Sequence, residues 1–146
     1  MTVVDEAFRC ERPARMVRNP GHCEECAEHE AAMQAVTPES VSLEQVGNPG
    51  WDPVCYLTDE AWRYFMPGLA RLARGRDGEY YLDQFLFHLA SGRINSLNEE
   101  QCRSLAAFLE SLYDSMAEMV EDSDARTLGH AMDLLEERMA ALHASR

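Results

Sequence analysis

The stretch NEEQCRSLAAFLESLYDSMAEMVE at residues 98–121 decides the fold class. Its apolar residues recur every three or four positions, which is the spacing that places side chains on one face of an α-helix. They are Cys102, Leu105, Phe108, Leu109, Leu112, Met116, Met119 and Val120. Asn98-Glu99-Glu100 supply a helix cap followed by two acidic residues, which the helix dipole favours in a first turn. The sequence therefore predicts a long amphipathic helix here.

Segments on both sides of this helix have the same periodicity. Further helices are predicted at residues 2–10, 22–36, 58–72, 79–91 and 125–143, with a short helical turn within 38–47. Pro67-Gly68 lies inside one of these segments and predicts a kink or two abutting helices. No segment alternates with a period of two, so no sheet is expected. The predicted fold is all-α, a compact helical bundle with a loop-rich N-terminal third.

The length of the chain indicates one domain. A chain of 146 residues with 46% hydrophobic content can bury a substantial core and is not generally disordered. We expect a single helical domain over residues 1–146, in which an N-terminal Cys/His segment of residues 1–57 packs on a helical bundle of residues 58–146.

The formal charge of −13 constrains the partners of the protein. Such a charge repels phosphate, so it argues against non-specific binding to nucleic acid or to an anionic membrane. The partner it favours is another protein with a basic surface. No secretory signal and no membrane span is recognisable, so we expect a cytoplasmic protein. In that compartment the five cysteines are expected to be thiols or metal ligands rather than structural disulfides.

Residues 22–29, His-Cys-Glu-Glu-Cys-Ala-Glu-His, concentrate metal-binding side chains as no other stretch does. Zinc prefers four ligands drawn from thiolates and imidazoles, and Cys-x2-Cys is a common source of two of them. Cys23 and Cys26 form that pair here. We expect His29 to supply an imidazole, with His22 as its substitute.

The fourth zinc ligand is expected from a distant part of the chain. Asn19-Pro20-Gly21 precedes the first two cysteines, and the same tripeptide at Asn48-Pro49-Gly50 precedes Cys55. Proline and glycine make such corners stiff, and a stiff loop can hold a cysteine in a fixed place. Cys55 is therefore predicted to complete a structural zinc site with Cys23 and Cys26, and the protein to act as a binding or regulatory module.

Two other interpretations of these residues stay open. Cys23 in the first turn of a helix could attack as a thiolate and Cys26 could resolve, as in a dithiol redox protein or sensor. Alternatively, the cysteines are small buried residues in a metal-free acidic adaptor. No glycine-rich phosphate loop, Gly-x-Ser-x-Gly or His-Glu-x-x-His motif occurs, so no catalytic residue is assigned, and the sequence favours a protein that is not an enzyme.

Three motifs together resemble a group of small, uncharacterised bacterial proteins. These are the segment HCEECAEH at 22–29, the loop NPGWDP at 48–53 and the helix start LTDEAWRYFMP at 57–67. The resemblance extends from about Phe8 to about Tyr113 and leaves out the final helix. It implies that residues 22–29 and 48–55 act together, and it implies no particular activity.

Overall fold

The computed structural model describes residues 2–75, 80–116 and 122–145. Within these ranges the α-helices are α1 Val3–Ala7, α2 Glu24–Gln34, α3 Leu43–Val46, α4 Asp59–Arg74, α5 Leu82–Ala90, α6 Glu99–Met116 and α7 Asp122–Ala144. Two short 3-10 turns, Pro53–Tyr56 and Arg93–Ser96, stand before α4 and α6. The described ranges contain no β-strand, so the all-α prediction is confirmed. Residues 117–121 of the helix predicted from the opening stretch lie outside the described residues.

None of the helices in these described ranges combines the length and the apolar character that crossing a lipid bilayer requires.

The chain divides into two compact units. The first, here called the N-terminal unit, comprises residues 8–84, and the second, the C-terminal unit, comprises residues 1–7 and 85–146. The division falls within α5. That residues 1–146 form one domain, with segment 1–57 packed on a bundle of residues 58–146, stays a prediction.

In the C-terminal unit, α6 packs against α7 and α1 packs against α6. Of the apolar stripe predicted for α6, the structure buries Cys102, Leu105, Phe108, Leu109 and Leu112. From α7, Leu128, Ala131 and Leu135 are buried as well. Burial of this stripe stabilises the pair of helices, since each large aliphatic side chain removed from water contributes about 1.5–3 kcal/mol.

The N-terminal unit is built around α4, whose buried residues include Trp62, Phe65, Met66 and Leu69. Thr58 caps this helix as predicted, because its Oγ1 accepts a hydrogen bond from the Ala61 N–H at 3.0 Å. The predicted interruption at Pro67-Gly68 does not divide the helix, which runs continuously through Pro67. Buried residues on both sides of the proline compensate for the backbone hydrogen bond that it cannot make.

The close approach of residues 38–41 to α4 explains why a glycine follows this proline. A Cβ atom added at Gly68 would lie 2.4 Å from the Pro38 carbonyl oxygen and 2.5 Å from Val41 Cγ1. Arg71, one turn later, donates to the carbonyl oxygen of Val41 at 2.8 Å. The segment before α3 therefore lies directly on α4, and only glycine leaves room for it.

An extended segment connects α2 with the loop that carries Cys55. The Glu30 carboxylate accepts the backbone N–H groups of Met16 at 3.0 Å and Val17 at 2.8 Å. Val17 in turn forms an isolated antiparallel bridge with Leu57. Together with the packing of α2 on the turn Pro53–Tyr56, these bonds fix the first cysteine segment relative to the second.

Candidate metal centre

The start of α2 brings His22, Cys23 and Cys26 together. A turn precedes the helix, in which the His22 N–H donates to the Asn19 carbonyl oxygen at 3.1 Å. Cys23 follows in extended conformation as the N-cap, and its Sγ accepts the Cys26 N–H at 3.4 Å. The role that serine or aspartate usually plays at a helix start is thus filled by a sulfur atom.

The distances within this group match those of a tetrahedral zinc site. The sulfur atoms of Cys23 and Cys26 are 3.3 Å apart, and Cys26 Sγ lies 3.9 Å from His22 Nδ1. All three ligand atoms lie within 4.8 Å of one another. On one tetrahedral zinc ion two thiolates would be about 3.8 Å apart, and a thiolate and an imidazole nitrogen about 3.6 Å. The sulfur atoms are therefore about 0.5 Å closer together, and Cys26 Sγ is about 0.3 Å further from His22 Nδ1, than around a bound ion.

The group is open to solvent on one side. His22 and Cys23 are exposed, whereas Cys26 is 6% exposed and faces the core. An ion held by the three residues would consequently keep a coordination position available to another ligand.

Hydrogen bonding shifts the pKa values of the two thiols in opposite directions. The Cys26 N–H, with further contributions from His22 and from the Cys26 side chain, lowers the pKa of Cys23 to about 7. The pKa of Cys26 is raised, first by its hydrogen bond with Cys23 and then by burial. Cys23 is thus the sulfur that ionises first, which suits both a metal ligand and a nucleophile.

Cys55 lies on the 3-10 turn Pro53–Tyr56 and is exposed. It does not belong to the group formed by His22, Cys23 and Cys26. It lies in the same neighbourhood, however, because the charges of Glu25, Cys55, Cys26 and Cys23 together with burial raise the pKa of Tyr56, with Glu25 contributing most. Cys55 and the other two cysteines thus act electrostatically on the same tyrosine, although Cys55 is not part of their cluster.

His29 is fully buried and likewise stands outside the group. Its ring packs against Trp51 at 4.2 Å and stacks on Tyr56 at 4.9 Å between centroids. Neither ring nitrogen has a hydrogen-bond partner, and Glu25 Oε1 lies 3.6 Å from Nε2. A buried polar atom without a partner costs about 1–3 kcal/mol, so this imidazole is available to any ligand that reaches it.

Of the five predicted ligands, the structure brings three together, and the Cys-x2-Cys spacing is the signal that identified two of them. The rings around His29 were not predicted, because Trp51 and Tyr56 come from a loop with no periodicity to show which way they face. Glu25 was also not predicted as a neighbour of His29, although an i, i+4 separation on a helix was a signal for it. The remaining cysteines, Cys10 and Cys102, belong to neither arrangement.

Comparison of the chain with models of protein families, with curated proteins and with solved structures gives no significant match.

Proposed function

We propose that this protein is a metal-binding module whose ion is held by His22, Cys23 and Cys26. One observation carries the proposal, namely the convergence of one imidazole nitrogen and two sulfur atoms at nearly tetrahedral separations. Thiolate and imidazole ligands in this combination favour zinc over magnesium or calcium, which prefer oxygen.

The fourth ligand in this proposal is Cys55. Two observations support this choice: the charge of Cys55 acts on the same tyrosine hydroxyl as those of Cys23 and Cys26, and α2 packs on the turn Pro53–Tyr56 that carries Cys55. His29 is the alternative donor, since its nitrogens are unpartnered and the nearby Glu25 could orient its ring in the way that carboxylates orient metal-binding imidazoles.

The position of the three ligands favours a binding or regulatory role. They lie within residues 22–26, at the exposed start of α2. Two of the three are exposed, so the ion can be reached from solvent. In the reducing cytoplasm that we propose as its location, both thiols would stay available to the metal.

The proposed partner is a protein with a basic surface. The net charge of −13 supports this choice, and Glu24 and Glu28 lie exposed on the helix that carries the site. A charged partner of this kind associates quickly at low salt and more slowly as salt is added. Salt-dependent capture on a basic surface, stronger for the metal-loaded protein than for the metal-free protein, is the expected behaviour.

Metal content tests the central proposal. Protein purified without chelator is analysed for bound zinc, and Cys26→Ser is compared with Cys102→Ser, which changes another buried cysteine outside the site. If four ligands share a binding free energy of about 10–16 kcal/mol, the loss of one costs about 3 kcal/mol, or about 100-fold in affinity. We expect that loss for Cys26→Ser alone. Equal zinc affinity in both variants would contradict the proposal.

A second comparison identifies the fourth ligand. Cys55→Ser is expected to weaken zinc binding, and Cys10→Ser, which also replaces an exposed cysteine, is expected to leave it unchanged. If His29→Gln weakens binding and Cys55→Ser does not, the imidazole takes the position instead.

A further inference from the structure

We propose that the Cys23–Cys26 pair is also a redox switch, which releases the bound metal when a hydroperoxide oxidises the pair to a disulfide. This inference rests on the proposed function and concerns the regulation of the same site. It follows from the fact that the two sulfur ligands are each other's nearest redox partners.

The sulfur separation makes this reaction accessible. The two sulfur atoms are 3.3 Å apart, and a disulfide requires about 2.05 Å. Closing that gap takes a movement of a little more than an ångström between two residues in the first turn of α2. The metal and the disulfide need the same two atoms, so the two states exclude each other.

The different exposure of the two cysteines determines which of them is oxidised first. Cys23 is exposed and can meet a solvent-borne oxidant, whereas Cys26 is 6% exposed and lies behind it. Cys23 is therefore the sulfur that is oxidised first, and Cys26 is the one that resolves. Once both sulfur atoms are lost, only His22 and the proposed fourth ligand remain, and these are half of the four ligands that zinc requires.

The reaction balances with a hydroperoxide as oxidant. The Cys23 thiolate attacks the terminal oxygen, the O–O bond breaks, and the leaving alkoxide or hydroxide takes up a proton, which gives a sulfenic acid on Cys23. Cys26 Sγ then attacks the Cys23 sulfur, the S–O bond breaks, and water leaves. For hydrogen peroxide, the two zinc-bound thiolates, one peroxide and two protons from solvent give one disulfide, two waters and a released Zn²⁺ ion. A dithiol reductant reverses the change.

The fluorescence of Trp51 can report the oxidation of the Cys23–Cys26 pair. Trp51 packs on His29, which lies one turn after Cys26 on the same helix, whereas the second tryptophan, Trp62, is buried in α4. Rearrangement at the start of α2 should therefore change the fluorescence of Trp51, and the change should disappear in Trp51→Phe.

Treatment of the zinc-loaded protein with hydrogen peroxide tests this inference. Released zinc is followed with a chromogenic chelator and free thiols are counted. Cleavage after Glu24 or Glu25 separates Cys23 from Cys26 unless a disulfide joins them, so digestion with a glutamate-specific protease identifies the bond. We expect one zinc released for every two thiols lost, a Cys23–Cys26 linked fragment, and recovery of zinc binding after reduction.

The Cys10→Ser and Cys102→Ser variants, which change cysteines outside the site, serve as controls. The same linked fragment and the same release from any zinc-loaded variant support the switch. Zinc retained after oxidation, or a disulfide between Cys23 and Cys55, overturns the inference while the metal site stands. A protein that takes up no zinc at all overturns the proposed function, and this inference with it.

Discussion

The reactivity of Cys23 offers a quantitative test of the site in its metal-free, reduced form. Its pKa is lowered to about 7, from an ordinary value of 9.0. At pH 7 about half of it is then thiolate, against about 1% for an ordinary thiol, which is about 50 times as much nucleophile. A thiolate of lower pKa is intrinsically less nucleophilic, by about eightfold for two units. Cys23 should therefore react about six times faster than an ordinary exposed thiol.

Alkylation with iodoacetamide, read out peptide by peptide as a function of pH, measures this difference. The Cys23 rate should rise through a midpoint near pH 7 and level off above it, since the group is fully ionised there. Cys10 provides the internal comparison, because burial raises its pKa and its rate should still be rising at pH 9.

Replacement of His22 checks the physical cause of the lowered Cys23 pKa. The backbone N–H of Cys26 is the largest cause of the lowered pKa, and His22 comes next. His22→Asn should accordingly raise the Cys23 midpoint without restoring the ordinary value. A Cys23 midpoint near 9 in the unsubstituted protein would refute the argument, because it would mean that the sulfur does not accept the Cys26 N–H.

Two further predictions concern the fold that holds the site. Gly68→Ala should destabilise the protein by about 1–3 kcal/mol, because the added Cβ would meet the Pro38 carbonyl oxygen. Gly129→Ala, at an open helix position, should instead stabilise it by about 0.5–1 kcal/mol. Thermal unfolding of the two variants measures both effects. Glu30→Gln should cost about 1–3 kcal/mol, because an amide nitrogen would face backbone N–H groups, and Glu28→Gln, on the exposed side of the same helix, should be nearly neutral in denaturant unfolding. Equal effects within either pair would contradict the packing described for that residue.

The positions of the helices were predictable because the buried residues of a helix recur every three or four positions in the sequence. The α6 stripe and the Thr58 cap were both found in this way, since each depends on residues three or four positions apart. Pro67 shows the limit of the method. Local chemistry indicated an interruption there, but the tertiary packing of α4 keeps the helix continuous.

The candidate site was predictable only where it is local. Cys23 and Cys26 lie three residues apart, so their spacing predicted that they would meet, whereas the imidazole beside them is that of His22, which was expected only as the substitute for His29. The positions of Cys55 and His29 depend on how a loop with two prolines packs against α2. That packing is set by Glu30 holding residues 16–17 and by the Val17–Leu57 bridge, which join parts of the chain that have no common period. The resemblance to small bacterial proteins stays a prediction.

Titration of the metal-free, reduced protein with cobalt(II) tests the central claim most directly, since this ion occupies zinc sites and reports its ligands through absorption. We expect saturation at one ion per chain, with thiolate-to-metal charge transfer that is weakened in Cys26→Ser and kept in Cys102→Ser. A protein of unchanged helix content that binds no cobalt, or binds it without thiolate absorption, would contradict the account.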